Sequence, residues 1–173
     1  MLTHVIIDGN NLLFAMHEHA PIPAVGRETL VRVIERWAQK REDKITLVFD
    51  GPVPETRMAR QMDSPRITVK FSAPLTADDV IIKLIRKTKD PGSTRVVSSD
   101  TAIATEAKYR RCAWSDSPAF VREVFAAPGT PADTSQAATP EKPKAPSPEE
   151  TEEWLKTFGI NQVEDNDQED WMV

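Results

Sequence analysis

Two kinds of apolar pattern alternate along the first 127 residues. Val5-Ile6-Ile7, Ile45-Thr46-Leu47-Val48-Phe49 and Arg95-Val96-Val97-Ser98 are short β-branched runs with apolar residues on both faces. This is the signature of parallel strands covered by helices on both sides. Arg66 to Phe71 alternates instead and predicts an edge strand with one wet face, and Cys112-Ala113-Trp114 predicts a short last strand. Between the runs, apolar residues recur at helical spacing. Leu30, Ile34, Trp37 and Ala38 predict a helix from Arg27 to Lys40; Val80, Ile81, Leu84 and Ile85 one from Ala77 to Lys89; Ile103, Ala104 and Ala107 one from Thr101 to Arg110. Strand and helix in this order imply right-handed crossovers, hence an α/β fold with a Rossmann-like, mostly parallel sheet flanked by helices.

The pattern stops near Ala127. From Pro128 the chain is rich in Pro and Ala, and up to Pro148 it contains no aromatic and no aliphatic residue larger than Ala. Such a stretch buries too little surface to offset its ordering entropy, so residues 128–147 read as an extended linker. Beyond it, Ser147, Pro148 and Glu150 form a helix-start pattern; Trp154, Leu155 and Phe158 form an apolar stripe, and Gly159 is a stop. Residues 148–173 are therefore expected to hold a short amphipathic helix and an acidic tail. A helix of this length is marginal alone in water, so it docks on its own domain or on a protein partner.

Charge divides at the same boundary. The 173 residues carry 22 Lys+Arg and 27 Asp+Glu, a net charge of -5. Residues 1–127 hold 19 basic and 16 acidic side chains, whereas residues 128–173 hold 3 and 11. A single cysteine, Cys112, rules out an internal disulfide framework and a cysteine-based zinc finger. No apolar run approaches the roughly 20 residues of a membrane span, and the N-terminus lacks a secretory layout; a cytoplasmic protein is expected.

Candidate chemistry collects at the predicted carboxyl ends of the strands, where ligands bind in open α/β sheets. Asp8-Gly9-Asn10-Asn11 follows the first strand and Asp50-Gly51 the second; Ser99-Asp100 and Ser115-Asp116 follow the later ones. Thr76-Ala77-Asp78-Asp79 opens a helix at the same rim. Taken singly, Asp100, Asp78 and Asp79 are explained as ordinary helix-start residues and Asp50 as a turn residue. Asp8, which ends a buried strand and precedes Gly9 and two amide side chains, resists that explanation best. Their coincidence on one rim is not so explained, because converging carboxylates repel unless cations bind. Hard divalent ions, Mg²⁺ or Mn²⁺, suit such a donor set. Other signals are poor. His17-Glu18-His19 lacks the spacing of a zinc helix, no Gly-rich phosphate loop is present, and Cys112 has no His motif beside it.

Val5-Ile6-Ile7-Asp8-Gly9-Asn10-Asn11-Leu12-Leu13 resembles the opening of NYN-domain proteins, in particular the YacP-like ribonucleases of the PIN-like superfamily. Leu47 to Gly51, Thr76 to Ile81 and Val96 to Asp100 resemble that family's next three blocks, in order and at suitable spacing. The resemblance covers about residues 1–125. It implies an acidic, metal-dependent endoribonuclease site, with some YacP-like members acting on messenger RNA at the ribosome. Two positions depart from the pattern. Asn10 stands where Tyr is common, and Ala104 stands where some related nucleases carry a further carboxylate, leaving Asp116 or water to serve.

The expectation is a nuclease domain over residues 1–127 that hydrolyses single-stranded RNA through metal-activated water. Asp8, Asp79 and Asp100 are the expected catalytic residues, and with Asp78 the metal ligands. Asn11 would hold a ligand or the scissile phosphate, Asp50 and Ser99 would lie on the substrate side, and Ser98 and Ser99 would steer Asp100. Arg57, Arg60, Lys83 and Lys87 would form a basic surround for the phosphate backbone. The rival expectation is a non-catalytic RNA-binding module of the same fold with a partner-recruiting tail.

Overall fold

The computed structural model describes residues 3–22, 25–54 and 64–126. Five strands, β1 (His4–Asp8), β2 (Lys44–Phe49), β3 (Ile67–Phe71), β4 (Thr94–Val97) and β5 (Ala113–Ser115), form one sheet in the order β3-β2-β1-β4-β5. Every pairing is parallel. Five helices connect or follow them: α1 (Gly9–His19), α2 (Arg27–Arg41), α3 (Ala77–Lys87), α4 (Thr101–Tyr109) and α5 (Ser117–Phe125). The expected linker and the residue 148–173 segment lie outside the described residues.

Strand alternation divides the core between the two faces of the sheet. Val5 and Ile7 of β1 join Leu47 and Phe49 beneath α1, α2 and α5, where Leu30, Ile34, Met16 and Phe120 are buried. Ile6, Val48 and Val96 face the other way, onto Ile81 and Ile85 of α3 and Ile103 and Ala107 of α4. Trp37 of α2 meets Phe120 of α5 edge-on, with ring centroids 4.9 Å apart. At the amino end of β4, Arg95 forks onto Glu123 of α5 at 3.0 and 2.6 Å, and Arg41 adds a third contact at 3.5 Å.

The expected elements are present with small shifts of boundary. α3 ends at Lys87 and α4 at Tyr109, β5 starts one residue late, and β3 is an edge strand whose burial alternates as its sequence does. Two helices went unread. α1 begins with Gly9, Asn10 and Asn11, all weak helix formers, and is secured by burial of Leu12, Ala15 and Met16. α5 did carry a local signal: Asp116 caps it, Pro118 sits in its first turn, and Phe120, Val121 and Val124 make its buried face.

The chain crosses to opposite sides of β1 on its way to β2 and to β4. The carboxyl ends of β1 and β4 therefore flank the point at which the winding reverses, where the sheet opens a crevice.

Candidate active site

Asp8 is the most buried aspartate of the rim, 5% exposed at the end of β1. Its Oδ1 accepts the Asn11 N–H at 3.1 Å, which makes it the N-cap of α1. Its Oδ2 accepts the Ser98 hydroxyl at 3.1 Å. Burial holds this carboxyl above its ordinary range; the two hydrogen bonds oppose the shift, and the charges of Asp78 and Asp100 add to it. One residue after Asp8, the chain runs against β2: a Cβ on Gly9 would lie 2.6 Å from the Phe49 ring and 2.8 Å from the Val48 carbonyl oxygen. Only glycine lets α1 start here.

Ser98 joins two aspartates. Fully buried at the end of β4, it donates its hydroxyl proton to Asp8 and accepts the Asp100 N–H at 3.1 Å. Asp100 caps α4, with Oδ1 accepting from Ala102 N–H at 2.8 Å and Ile103 N–H at 3.0 Å. The indole N–H of Trp114 donates to the Ser98 carbonyl at 3.0 Å and anchors this segment to β5.

The neighbouring aspartates of α3 have different tasks. Asp79 is engaged by Thr76: the Thr76 hydroxyl donates to its Oδ2 at 2.9 Å and accepts its N–H at 3.2 Å. This is a reciprocal helix cap. Asp78 shares the field of the other rim carboxylates. Its carboxyl is raised first by partial desolvation, then by Asp100, Asp50 and Asp79. Asp78 and Asp100 thus bear on Asp8, whereas Asp50 and Asp79 bear on Asp78 alone of the two raised carboxyls.

Asp50 is structural at one oxygen. Its Oδ1 accepts the Ser72 hydroxyl at 2.8 Å and the Ala77 N–H at 3.0 Å, fixing the start of α3 beside the end of β2. Its own N–H donates to Asn10 Oδ1 at 3.2 Å. Asn11 reaches the other way, its Oδ1 accepting from Ser99 N–H at 3.1 Å and from the Ser117 hydroxyl at 2.7 Å. The adjacent asparagines therefore tether the loops on either side of Asp8. Asp116 caps α5 through Ala119 N–H at 2.6 Å, and Ala104 is buried in α4.

Lys83 and Lys87 are exposed on α3. Arg86 between them is spent on Glu106, at 3.0 and 2.9 Å. Arg57 and Arg60 lie outside the described residues. A further cation stands near the rim at the start of α2, where Arg27 lies 5.2 Å over the Phe49 ring. Nothing in the spacing of the sequence distinguished it.

Among the described residues, no three His, Cys, Asp or Glu side chains are gathered closely enough to enclose a metal ion by themselves. The donor set still suits Mg²⁺, which is commonly held by one or two carboxylates and completes its shell with water and substrate phosphate. Asp8 is the observation that favours a cation: a buried carboxyl, raised first by desolvation and then by two like charges, with no basic partner among the described residues. The remaining candidates have ordinary roles. His4 bonds the Thr46 hydroxyl at 2.9 Å, His17 donates to the Val25 carbonyl at 2.7 Å, and Cys112 is buried.

The same architecture occurs in solved structures. The crystal structure of Rae1 (YacP) from Bacillus subtilis matches with a TM-score of 0.56 at 19% identity, covering 71% of this chain and 74% of that one. A tryptophan-to-leucine variant of that protein matches with a TM-score of 0.55 at 17% identity, over 71% and 75% of the two chains. No curated protein matches the chain. The profile of the YacP-like NYN domain matches residues 5–158, a stretch that continues past the compositional boundary at Ala127. The sheet, its acidic rim and this match agree: the chain belongs to the YacP-like NYN domain family, a family of PIN-like nucleases.

Proposed function

We propose that the protein is a metal-dependent endoribonuclease that hydrolyses single-stranded RNA at the rim formed by β1, β4 and α3. The observation that carries this reading is the buried Asp8 carboxyl, linked to Asp100 through Ser98 and lying within the charge field of Asp78 and Asp100. One or two of these carboxylates, Asp8 foremost, would hold Mg²⁺ or Mn²⁺, with water and substrate phosphate completing the shell. When bound, the ion supplies a water of lowered pKa and a Lewis acid for the phosphate.

The chain's own residues supply the rest. Ser98 keeps the Asp8 carboxylate and the Asp100 backbone in fixed relation, so the donors are organised before substrate arrives. Asn11 offers its Nδ2 hydrogens to phosphate oxygens, since among the described residues only its carboxamide oxygen is engaged. Asp50, held by Ser72 and Ala77, sets the angle at which α3 presents Asp78. Lys83 and Lys87 draw the polyanionic backbone toward the rim. In this assignment the Asp79 carboxylate braces Thr76, the cap of α3.

The second reading, an RNA-binding module without catalysis, is favoured by Ala104, which puts a buried methyl where some related nucleases have a carboxylate. One experiment separates the two. A 5′-labelled oligoribonucleotide is incubated with the protein in Mn²⁺, in EDTA, and with Asp8→Asn. Cleavage seen only with metal and the parent sequence supports the nuclease; retained binding without cleavage in any lane supports the module.

A further inference from the structure

Asn11, Ser99 and Ser117 form a closed ring of hydrogen bonds. Asn11 Oδ1 accepts from Ser99 N–H at 3.1 Å and from Ser117 Oγ at 2.7 Å, while Ser117 N–H donates to Ser99 Oγ at 3.2 Å. Three segments distant in sequence meet there: the first turn of α1, the β4–α4 junction and the first residue of α5. A backbone N–H can only donate, so the Asn11 atom facing Ser99 must be oxygen. The Ser117 hydroxyl points at the same oxygen and must donate as well. The carboxamide is thereby held in one of its two flip states, with neither Nδ2 hydrogen bonded among the described residues.

Ser117 is not needed for the helix it begins. The capping bond of α5 comes from Asp116, and the Ser117 side chain is 0% exposed, with its hydroxyl proton committed to Asn11. A buried hydroxyl at this position costs desolvation unless that bond is made, so the pair is mutually dependent.

We propose that Ser117 is a positioning residue for the reaction, locking the Asn11 carboxamide so that its NH₂ group is presented to a phosphate oxygen of the bound RNA. This rests on the nuclease reading above. Its contribution runs through Asn11 and not through the metal-binding carboxylates.

The test is a double-mutant cycle on kcat/KM for cleavage of a labelled oligoribonucleotide in Mn²⁺, using Ser117→Ala, Asn11→Ala and the pair. Ser117→Ala is expected to lose about tenfold, and to cost nothing further once Asn11 is already Ala. Ser117→Cys keeps the volume with a poorer donor; it should show the same loss and serves if the alanine variant folds badly. A loss that adds in full to that of Asn11→Ala, or an unchanged rate in both Ser117 variants, overturns the proposal. If the parent cleaves no RNA, the nuclease reading fails separately. The same cycle read on oligonucleotide affinity then decides the clamp, with non-additive losses supporting it and additive ones ending it.

Discussion

The buried Ser98 hydroxyl donates to Asp8 Oδ2 at 3.1 Å and accepts the Asp100 N–H at the same distance. One side chain with no exposure to solvent thus sets the relation between the ends of β1 and β4. The two strands are neighbours in the sheet, yet the residues are ninety apart in the chain. The geometry of the rim depends on the packing of the sheet as much as on the acidic residues.

Asp8 and Asp78 both carry carboxyl groups raised above their ordinary values, first by desolvation and then by neighbouring carboxylates. The folded state therefore holds protons at these positions more tightly than the unfolded chain does. The stability they contribute is complete below the unfolded-state value of roughly 4 and is lost as pH rises through the elevated folded values. Metal-free Asp8→Asn should consequently melt above the parent at neutral pH, with the gap closing as pH falls toward 4. The same variant should lose at least about a hundredfold in metal-dependent cleavage. Melting curves with EDTA across pH, beside turnover in Mn²⁺, check both halves.

Asp78 and Asp79 are adjacent but separable. Asp79→Ala removes the carboxylate that accepts the Thr76 hydroxyl but keeps the backbone N–H that Thr76 caps, so stability should fall by about 0.5–1.5 kcal/mol. Its turnover should stay within about twofold of the parent, because the bracing carboxylate touches no reacting group. Asp78→Asn should have the opposite profile, with unchanged or higher thermal stability and cleavage reduced by about a hundredfold or more. Equal loss of turnover in both variants would return Asp79 to the metal site.

Gly9→Ala tests the approach of α1 to β2. The added methyl meets backbone and an aromatic ring at 2.6 to 2.8 Å, so the start of α1 must shift. A loss of about 1–3 kcal/mol in urea unfolding is expected. Turnover should fall further than stability alone explains, because the same shift displaces Asp8 and Asn11. A neutral substitution would mean that Phe49 gives way freely.

Lys83→Ala and Lys87→Ala test backbone recognition. Each should weaken oligoribonucleotide binding regardless of sequence. Each should also reduce the slope of log affinity against log salt by about 0.7 if it neutralises one phosphate of a single strand. Filter binding between low and moderate salt gives the slope; one indistinguishable from the parent removes that lysine from the path.

The parallel strands and three of the helices were legible because one physical rule governs each. A run buried on both faces must be apolar throughout, and a helix with one buried face must repeat at its own period. Helix α1 carries the same period at Leu12, Ala15 and Met16, but its first turn, Gly9, Asn10 and Asn11, consists of weak helix formers whose places are set by contacts with Phe49, Asp50 and Ser99. Helix α5 carries a local signal of its own, Asp116 as the cap and Pro118 in the first turn ahead of Phe120, Val121 and Val124. The Thr76-x-x-Asp79 spacing likewise carried a capping signal that separates Asp79 from Asp78.

By itself the sequence determined the strand–helix alternation, the carboxyl-end placement of the acidic residues and the family they belong to, since each follows from local period or local motif. Which carboxylates press on one another, which asparagine atom is left free, and that Ser98 and Ser117 bind the rim together were decided only by the tertiary structure. Side chains on consecutive helical residues diverge by about 100°, and the partners that orient them lie up to 106 positions away, distances that no local pattern encodes.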